Sequence, residues 1–316
     1  MKRYGLLLVL CLFSCASSNG SSIESSLSIS SEIDYGTVSF ENVFVYGDGY
    51  DQVKIRPYFS NPEVSSLVSF TYEVADENIC SVEEGIIYYV GEGQTTITAH
   101  SNFYEDKTFY VVTKDYFSFS GQAQKMENSV LTSYQEGDTL FLGDSFFEFW
   151  RNGVNTTKFY DVFADYKVFN IGISATTTHD WRVMAQRVIA NTSPKNIVVN
   201  IGINNVDDDG ESGLKCFRNI RAMIEDYLEM FEDVNVYYMS ITRCTGVFAS
   251  KWKDHELSNT FMKKYCQENE RVHYLDVMEV YGNEYASYLS DGLHPNQKGY
   301  DVFESLIKDN VPLEEK

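Results

Sequence analysis

Four short blocks of this 316-residue chain carry side chains suited to a single reaction. They are Gly143-Asp144-Ser145, Asn170-Ile171-Gly172-Ile173-Ser174, Gly202-Ile203-Asn204-Asn205 and Asp291-Gly292-Leu293-His294-Pro295-Asn296. A serine hydroxyl attacks a carbonyl only when a base takes its proton, and histidine, which titrates near neutrality, suits that work. Ser145 is the candidate nucleophile and His294 the candidate base. Asp291 lies close enough in sequence to share one loop with His294, where its carboxylate would hold the imidazole in the tautomer the reaction needs. Attack creates an oxyanion, which requires donors fixed in advance. The candidates are the backbone N–H of Ser145, the backbone N–H of Gly172, which has no side chain to block approach, and the side-chain amide of Asn204. Each block also has a plainer reading, Gly172 and Asn204 as turn formers and His294 as part of a loop before a helix. Taken together they are the residues of acyl transfer.

The elements that must position these blocks follow from periodicity. Beyond a join at Asp115 to Gly137 that the pattern does not divide, strands are expected at 139–142, 167–171, 196–201, 235–241 and 272–277. Helical patterns fall at 179–191, 212–232, 254–269 and 297–309. Such alternation implies a parallel sheet covered on both faces, with sites at the carboxyl ends of its strands. Three of the blocks stand at strand ends and the fourth precedes the last helix, where Pro295 disfavours helical geometry for His294.

In this order the blocks resemble the SGNH hydrolase superfamily, the GDSL-type esterases. The resemblance implies a three-layer α/β/α flavodoxin-like domain over residues 115–316. It also implies ester hydrolysis by Ser145, His294 and Asp291, an oxyanion hole of Ser145, Gly172 and Asn204, and no cofactor or metal. Phe146 stands where the name-giving motif has leucine, Ala175 where a second glycine often follows, and Asn205 where Asp is common. Trp150, five residues after Ser145, matches the form of the motif in esterases acting on acetylated carbohydrates and small esters, although a tryptophan on a first helix also suits the core. The expected substrate is a short-chain ester, an acetylated glycan. O-acyl transfer by the same residues and an inactive surface adhesin are the alternatives.

Residues 32–114 follow a different period. Short alternating segments such as Val43-Phe44-Val45-Tyr46, Val68-Ser69-Phe70-Thr71-Tyr72, Ile86-Ile87-Tyr88-Tyr89-Val90 and Thr96-Ile97-Thr98-Ala99 argue a small β-sandwich. The run from Phe70 to Val82, the turn at Gly85 and the closing Gly93-Gln94-Thr95-Thr96-Ile97-Thr98-Ala99 resemble a bacterial Ig-like domain of the second type, which implies a spacer.

At the amino terminus Lys2 and Arg3 precede an apolar run from Leu6 to Phe13, long enough for a signal-peptide core and too short to span a bilayer. It closes on Leu12-Phe13-Ser14-Cys15, which resembles a lipobox. The resemblance implies a lipoprotein signal peptide at 1–14, lipidation of Cys15 and a serine-rich tether at 15–31. The chain is thus expected to be exported and held by lipid on the outer face of the bacterial membrane. With 46 acidic against 25 basic residues and a net charge of −21, it should repel nucleic acid and anionic headgroups. Cys80, Cys216, Cys244 and Cys266 form no recognisable disulfide or metal framework, and the five histidines are scattered, so no metal is expected.

Overall fold

Runs such as Leu140-Phe141-Leu142 and Ile197-Val198-Val199 are apolar on both strand faces and need a sheet covered on both sides. A computed structural model, which describes residues 33–47, 52–115, 134–135, 137–183, 185, 189–190 and 192–316, places them in one. The proposed signal peptide, Cys15, the tether and most of the join at 115–137 lie outside the described residues. Two compact units divide the chain, one holding 53–113 with residues up to Val43, the other 114–316 with 44–52. Among the described residues no helix is long and apolar enough to cross a membrane.

The first unit is built from strands. In chain order they are β1 (Val38–Ser39), β2 (Val43–Gly47), which straddles the division, β3 (Gln52–Lys54), β4 (Tyr58–Phe59), β5 (Thr71–Val74), β6 (Cys80–Glu83), β7 (Ile86–Tyr89), β8 (Gly93–His100) and β9 (Lys107–Asp115). β8 pairs antiparallel with β5 and β9, β6 with β7, and β1 with β4. Alternate residues Thr95, Ile97 and Ala99 of β8 are buried, as a half-covered antiparallel strand requires, and the unit is consistent with a β-sandwich. The strand expected at 68–72 is displaced to Thr71–Val74. Its partner β8 ends at His100, opposite Thr71, so Val68 to Phe70 have no ladder to join.

The second unit is an α/β domain. Its sheet holds β10 (Thr139–Gly143), β11 (Val168–Asn170), β12 (Asn196–Asn200), β13 (Asn235–Met239) and β14 (Val272–Leu275), all parallel in the order β11-β10-β12-β13-β14. The helices are α1 (Ser145–Asn152), α2 (Phe159–Val162), α3 (Thr178–Val183), α4 (Ile203–Asp207), α5 (Gly213–Met230), α6 (Trp252–Gln267), α7 (Val277–Tyr281) and α8 (Gln297–Asn310). Strand order reverses between β10 and β12, the switch point at which open α/β sheets leave a crevice. Two expected strands stop early for visible reasons. Beyond β13, Asn259 of α6 takes both the N–H and the carbonyl of Ile241, replacing a strand neighbour. Beyond β14, Asp276 accepts the N–H of Glu279 and starts α7.

The turn from β10 into α1 is crowded and buried. Gly143 pairs with Asn200, and a Cβ on it would sit 2.1 Å from the Asn200 carbonyl oxygen. Asp144 then caps α1 through a 3.0 Å bond from the Phe146 N–H to Oδ1, while Oδ2 is buried with no partner. Burial pushes the Asp144 carboxyl up to about 7, against the pull of that N–H. Gly143→Ala should cost about 2 kcal/mol or more through overpacking, read as a fall in Tm of roughly 4–8 °C; an unchanged Tm would show the contact relaxes freely. Because the folded state holds the Asp144 proton more tightly than the unfolded chain, ionisation costs stability as pH rises from the ordinary carboxylate range towards 7. Asp144→Asn, which keeps the cap, should therefore remove a loss on the order of a few kcal/mol between pH 4 and 7. Urea midpoints at both pH values check this, and an identical decline in both proteins would contradict it.

Candidate active site

Ser145 is the first residue of α1, buried at the switch point, and reaches His294 across the fold. Its Oγ lies 2.9 Å from His294 Nε2, and His294 Nδ1 lies 2.7 Å from Asp291 Oδ2. Asp291 Oδ1 accepts the N–H of Leu293 at 3.0 Å and of His294 at 2.8 Å, so the carboxylate shapes the loop as well as meeting the ring. Partial burial works to raise the Asp291 pKa, but the bond from the His294 ring and those two backbone N–H groups outweigh it and hold the carboxyl below its usual range. It is ionised wherever the protein is folded at ordinary pH.

Several neighbours fix this loop. Gly292 sits at φ +91°, where a Cβ would come within 2.7 Å of Thr245 Oγ1, and its carbonyl accepts the Thr245 N–H at 2.8 Å. Asn296 caps α8 by accepting the Gly299 N–H, and its Nδ2 donates to the carbonyls of Ser287 and Leu289. The imidazole packs on Phe149, ring centroids 4.4 Å apart, and meets Phe146 edge-on at 5.6 Å. Phe146, in the leucine position of the motif, is buried against Phe303, and its carbonyl accepts the Tyr300 hydroxyl at 2.8 Å. It therefore supports the histidine rather than lining an open pocket.

The segment after β11 is tied to α1 from the other side. Asn170 Nδ2 donates to the Phe147 carbonyl, Arg151 donates to the Asn170 carbonyl, and the Ser174 N–H donates to Glu148 Oε2. Here the structure departs from the expectation for Gly172. Its N–H is taken by Asn170 Oδ1 at 2.9 Å, and a Cβ on it would strike Phe147 Cβ at 2.5 Å and the Glu148 N at 2.8 Å. Gly172 is glycine so that the strand end can lie against α1, and its N–H is not open to a ligand. Three residues on, Ala175 is exposed at φ +60°, and its N–H has no partner among the described residues. Around it every other N–H from Ile171 to Thr178 except that of Thr176 is engaged. Sequence reasoning passed over Ala175 because a position that commonly holds glycine held a residue with a side chain.

Asn204 and Asn205 open α4 after Gly202, whose φ of +120° makes the turn from β12. Asn204 Nδ2 donates to the Thr176 carbonyl at 2.9 Å, which fixes the amide beside the Ala175 turn. Asn205, buried, accepts the Thr178 N–H at 3.1 Å and donates to Thr178 Oγ1 and to Glu211 Oε2. The amide supplies a donor and an acceptor at once, so Asn205, where Asp is common, ties the α4 turn to Thr178 and Glu211. Glu211 also receives Asn219, and with His179 and Asp209 it forms a cluster whose ligand-capable atoms lie within 4.8 Å. Asn205 and Asn219 already occupy its oxygens and the Lys215 ammonium stands 3.7 Å away, so its place is that of a structural acceptor.

Two other residues fall outside the site. Trp150 is buried among Phe159, Phe163, Tyr300 and Phe303 and belongs to the core. Cys244 is buried with its pKa pushed up to about 12, chiefly by desolvation, which rules out a thiolate nucleophile. The four described cysteines are free.

The family model for the GDSL-like lipase/acylhydrolase family matches residues 141–302. Among solved structures, one described as an acylhydrolase from Bacteroides fragilis is 25% identical, covers 62% of this chain and 96% of its own, and superposes with a TM-score of 0.50. A GDSL-like lipase from Bacteroides thetaiotaomicron is 22% identical, with 59% and 93% covered and a TM-score of 0.49. A carbohydrate esterase family 3 protein from Talaromyces cellulolyticus is 17% identical, with 55% and 96% covered and a TM-score of 0.45. No curated protein matches the chain. The family match spans just over half of the 316 residues and takes in all four motif blocks, so this chain belongs to the GDSL-like lipase/acylhydrolase family and is a carboxylic ester hydrolase.

Proposed function

We propose that the chain is a serine esterase in which Ser145, His294 and Asp291 act as a triad through an acyl-enzyme. The observation that carries this reading is the continuous line from Ser145 Oγ to His294 Nε2 at 2.9 Å and from Nδ1 to Asp291 at 2.7 Å. With Asp291 ionised, Nδ1–H donates to it and Nε2 is left as the acceptor of the serine proton. As Ser145 Oγ bonds to the ester carbonyl carbon, its proton passes to Nε2. His294 then returns that proton to the leaving alcohol as the ester C–O bond breaks. Water repeats the sequence on the acyl-enzyme, releasing the acid and restoring Ser145. The oxyanion is held by the N–H of Ser145, the N–H of Ala175 in place of Gly172, and Asn204 Nδ2.

The finer assignment rests on sequence. The likeness of the first block to that of esterases acting on small esters supports a short acyl group, although Trp150 itself is core, and the signal-like amino terminus with Cys15 supports a lipid-anchored enzyme on the outer face of the membrane. There acetylated glycans are the esters within reach. The β-unit, read as an Ig-like domain, serves as the spacer between the anchor and the catalytic domain.

Protein lacking residues 1–31 should hydrolyse p-nitrophenyl acetate and take up a fluorophosphonate on the peptide containing Ser145, with both lost in Ser145→Ala. Absence of labelling would remove the enzyme reading. Asn204→Ala should lower kcat by about 10²–10³, with Tm measured in parallel to separate this from loss of the bond to Thr176. A full-rate variant would take Asn204 out of the oxyanion hole.

A further inference from the structure

Arg243 follows β13 at the same strand-end edge that presents Ser145, Ala175 and Asn204. Its guanidinium carbon lies 4.6 Å from the centroid of Tyr285 and 5.6 Å from that of Trp252, so two half-buried aromatic rings hold it by cation–π contact. Its Nε is buried without a hydrogen-bond partner, and among the described residues neither terminal nitrogen meets a carboxylate or a carbonyl. Four other arginines differ. Arg182 pairs with Asp226, Arg221 with Glu225, Arg151 with Asn170 and Glu148, and Arg271 caps the carbonyls of Leu228, Phe231 and Glu232. In a chain with 46 acidic residues, a guanidinium immobilised by rings yet given no oxygen is out of keeping with its surroundings.

Its place ties it to the reacting groups. Two residues on, the Thr245 N–H donates to the Gly292 carbonyl, between Asp291 and His294. Tyr285 lies on the 3-10 segment Gly282–Tyr288 that leads into that loop, and Trp252 opens α6. The rings hold the planar fork in one orientation before a ligand arrives, which spares the entropy a free arginine would lose on binding. We infer that Arg243, framed by Trp252 and Tyr285, is the recognition site for a carboxylate on the ester substrate, which makes the preferred substrate an O-acylated acidic sugar. This rests on the esterase reading and narrows its substrate. A fork of N–H donors takes a carboxylate in two parallel bonds, and the aromatic faces suit the apolar face of a sugar ring. An anion also needs such a local cation, since the net charge of −21 opposes its approach.

The test compares acetate release from an O-acetylated methyl glucuronide, as the free acid and as its carboxyl methyl ester, with p-nitrophenyl acetate as a third substrate. The wild-type protein should favour the free acid in kcat/KM by at least about tenfold, the scale of a charge-assisted bond, mostly through KM. Arg243→Gln should bring that ratio to one or below, and Arg243→Lys should keep part of it, since the charge remains while the fork is lost. Raising the salt concentration should weaken the preference in the wild type. Hydrolysis of all three substrates with no preference for the acid, or a preference that survives Arg243→Gln, would overturn this inference and leave the esterase reading standing. No hydrolysis of any of the three would overturn the esterase reading itself.

Discussion

The site is organised around one hydrogen bond between residues 149 positions apart, Ser145 Oγ to His294 Nε2. Neither partner can be moved independently. Ser145 is fixed because it begins a helix whose cap, Asp144, is buried and whose preceding Gly143 lies against the Asn200 carbonyl. His294 is fixed because Asp291 takes its ring and its backbone N–H together, and because Phe146 and Phe149 of the serine's own helix pack on the imidazole. Helix α1 thus carries Ser145 at one end and packs against the His294 ring along one side.

The same helix organises the second strand end. Phe147, Glu148 and Arg151 bind the segment from Asn170 to Ser174, and Asn204 and Asn205 bind the residues just beyond it, from Thr176 to Thr178. Between these two sets of bonds the backbone turns at Ala175 with a positive φ and an N–H unengaged among the described residues. An alanine in that conformation is strained, and it persists because its flanks are held from both sides. Donors held this way need no reorganisation if charge develops beside them, which is what the proposed oxyanion hole requires.

Much of this was legible in the sequence because its signals are local. The α/β class follows from strand and helix periods, and the blocks announce themselves at strand ends. Side-chain replacement of main-chain partners was not legible. Asn259 taking Ile241 beyond the end of the fourth strand at Met239, and Asn170 consuming the Gly172 N–H, both depend on which side chain reaches which backbone group across the fold. For the same reason the missing side chain of Gly172 points in sequence to the oxyanion hole, whereas in the fold it serves packing against Phe147. The role of Phe146 and the isolation of Arg243 likewise emerge only once distant segments are brought together.

The most direct test is a crystal structure of the protein carrying a phosphonate on Ser145, whose phosphoryl oxygen stands in for the oxyanion. The account predicts that this oxygen lies at hydrogen-bond distance, about 2.7–3.1 Å, from the N–H of Ala175, the N–H of Ser145 and Asn204 Nδ2, with the Asn170 to Gly172 bond intact and His294 still on Asp291. An oxygen bound instead to the Gly172 N–H, or an adduct on any residue other than Ser145, would contradict it.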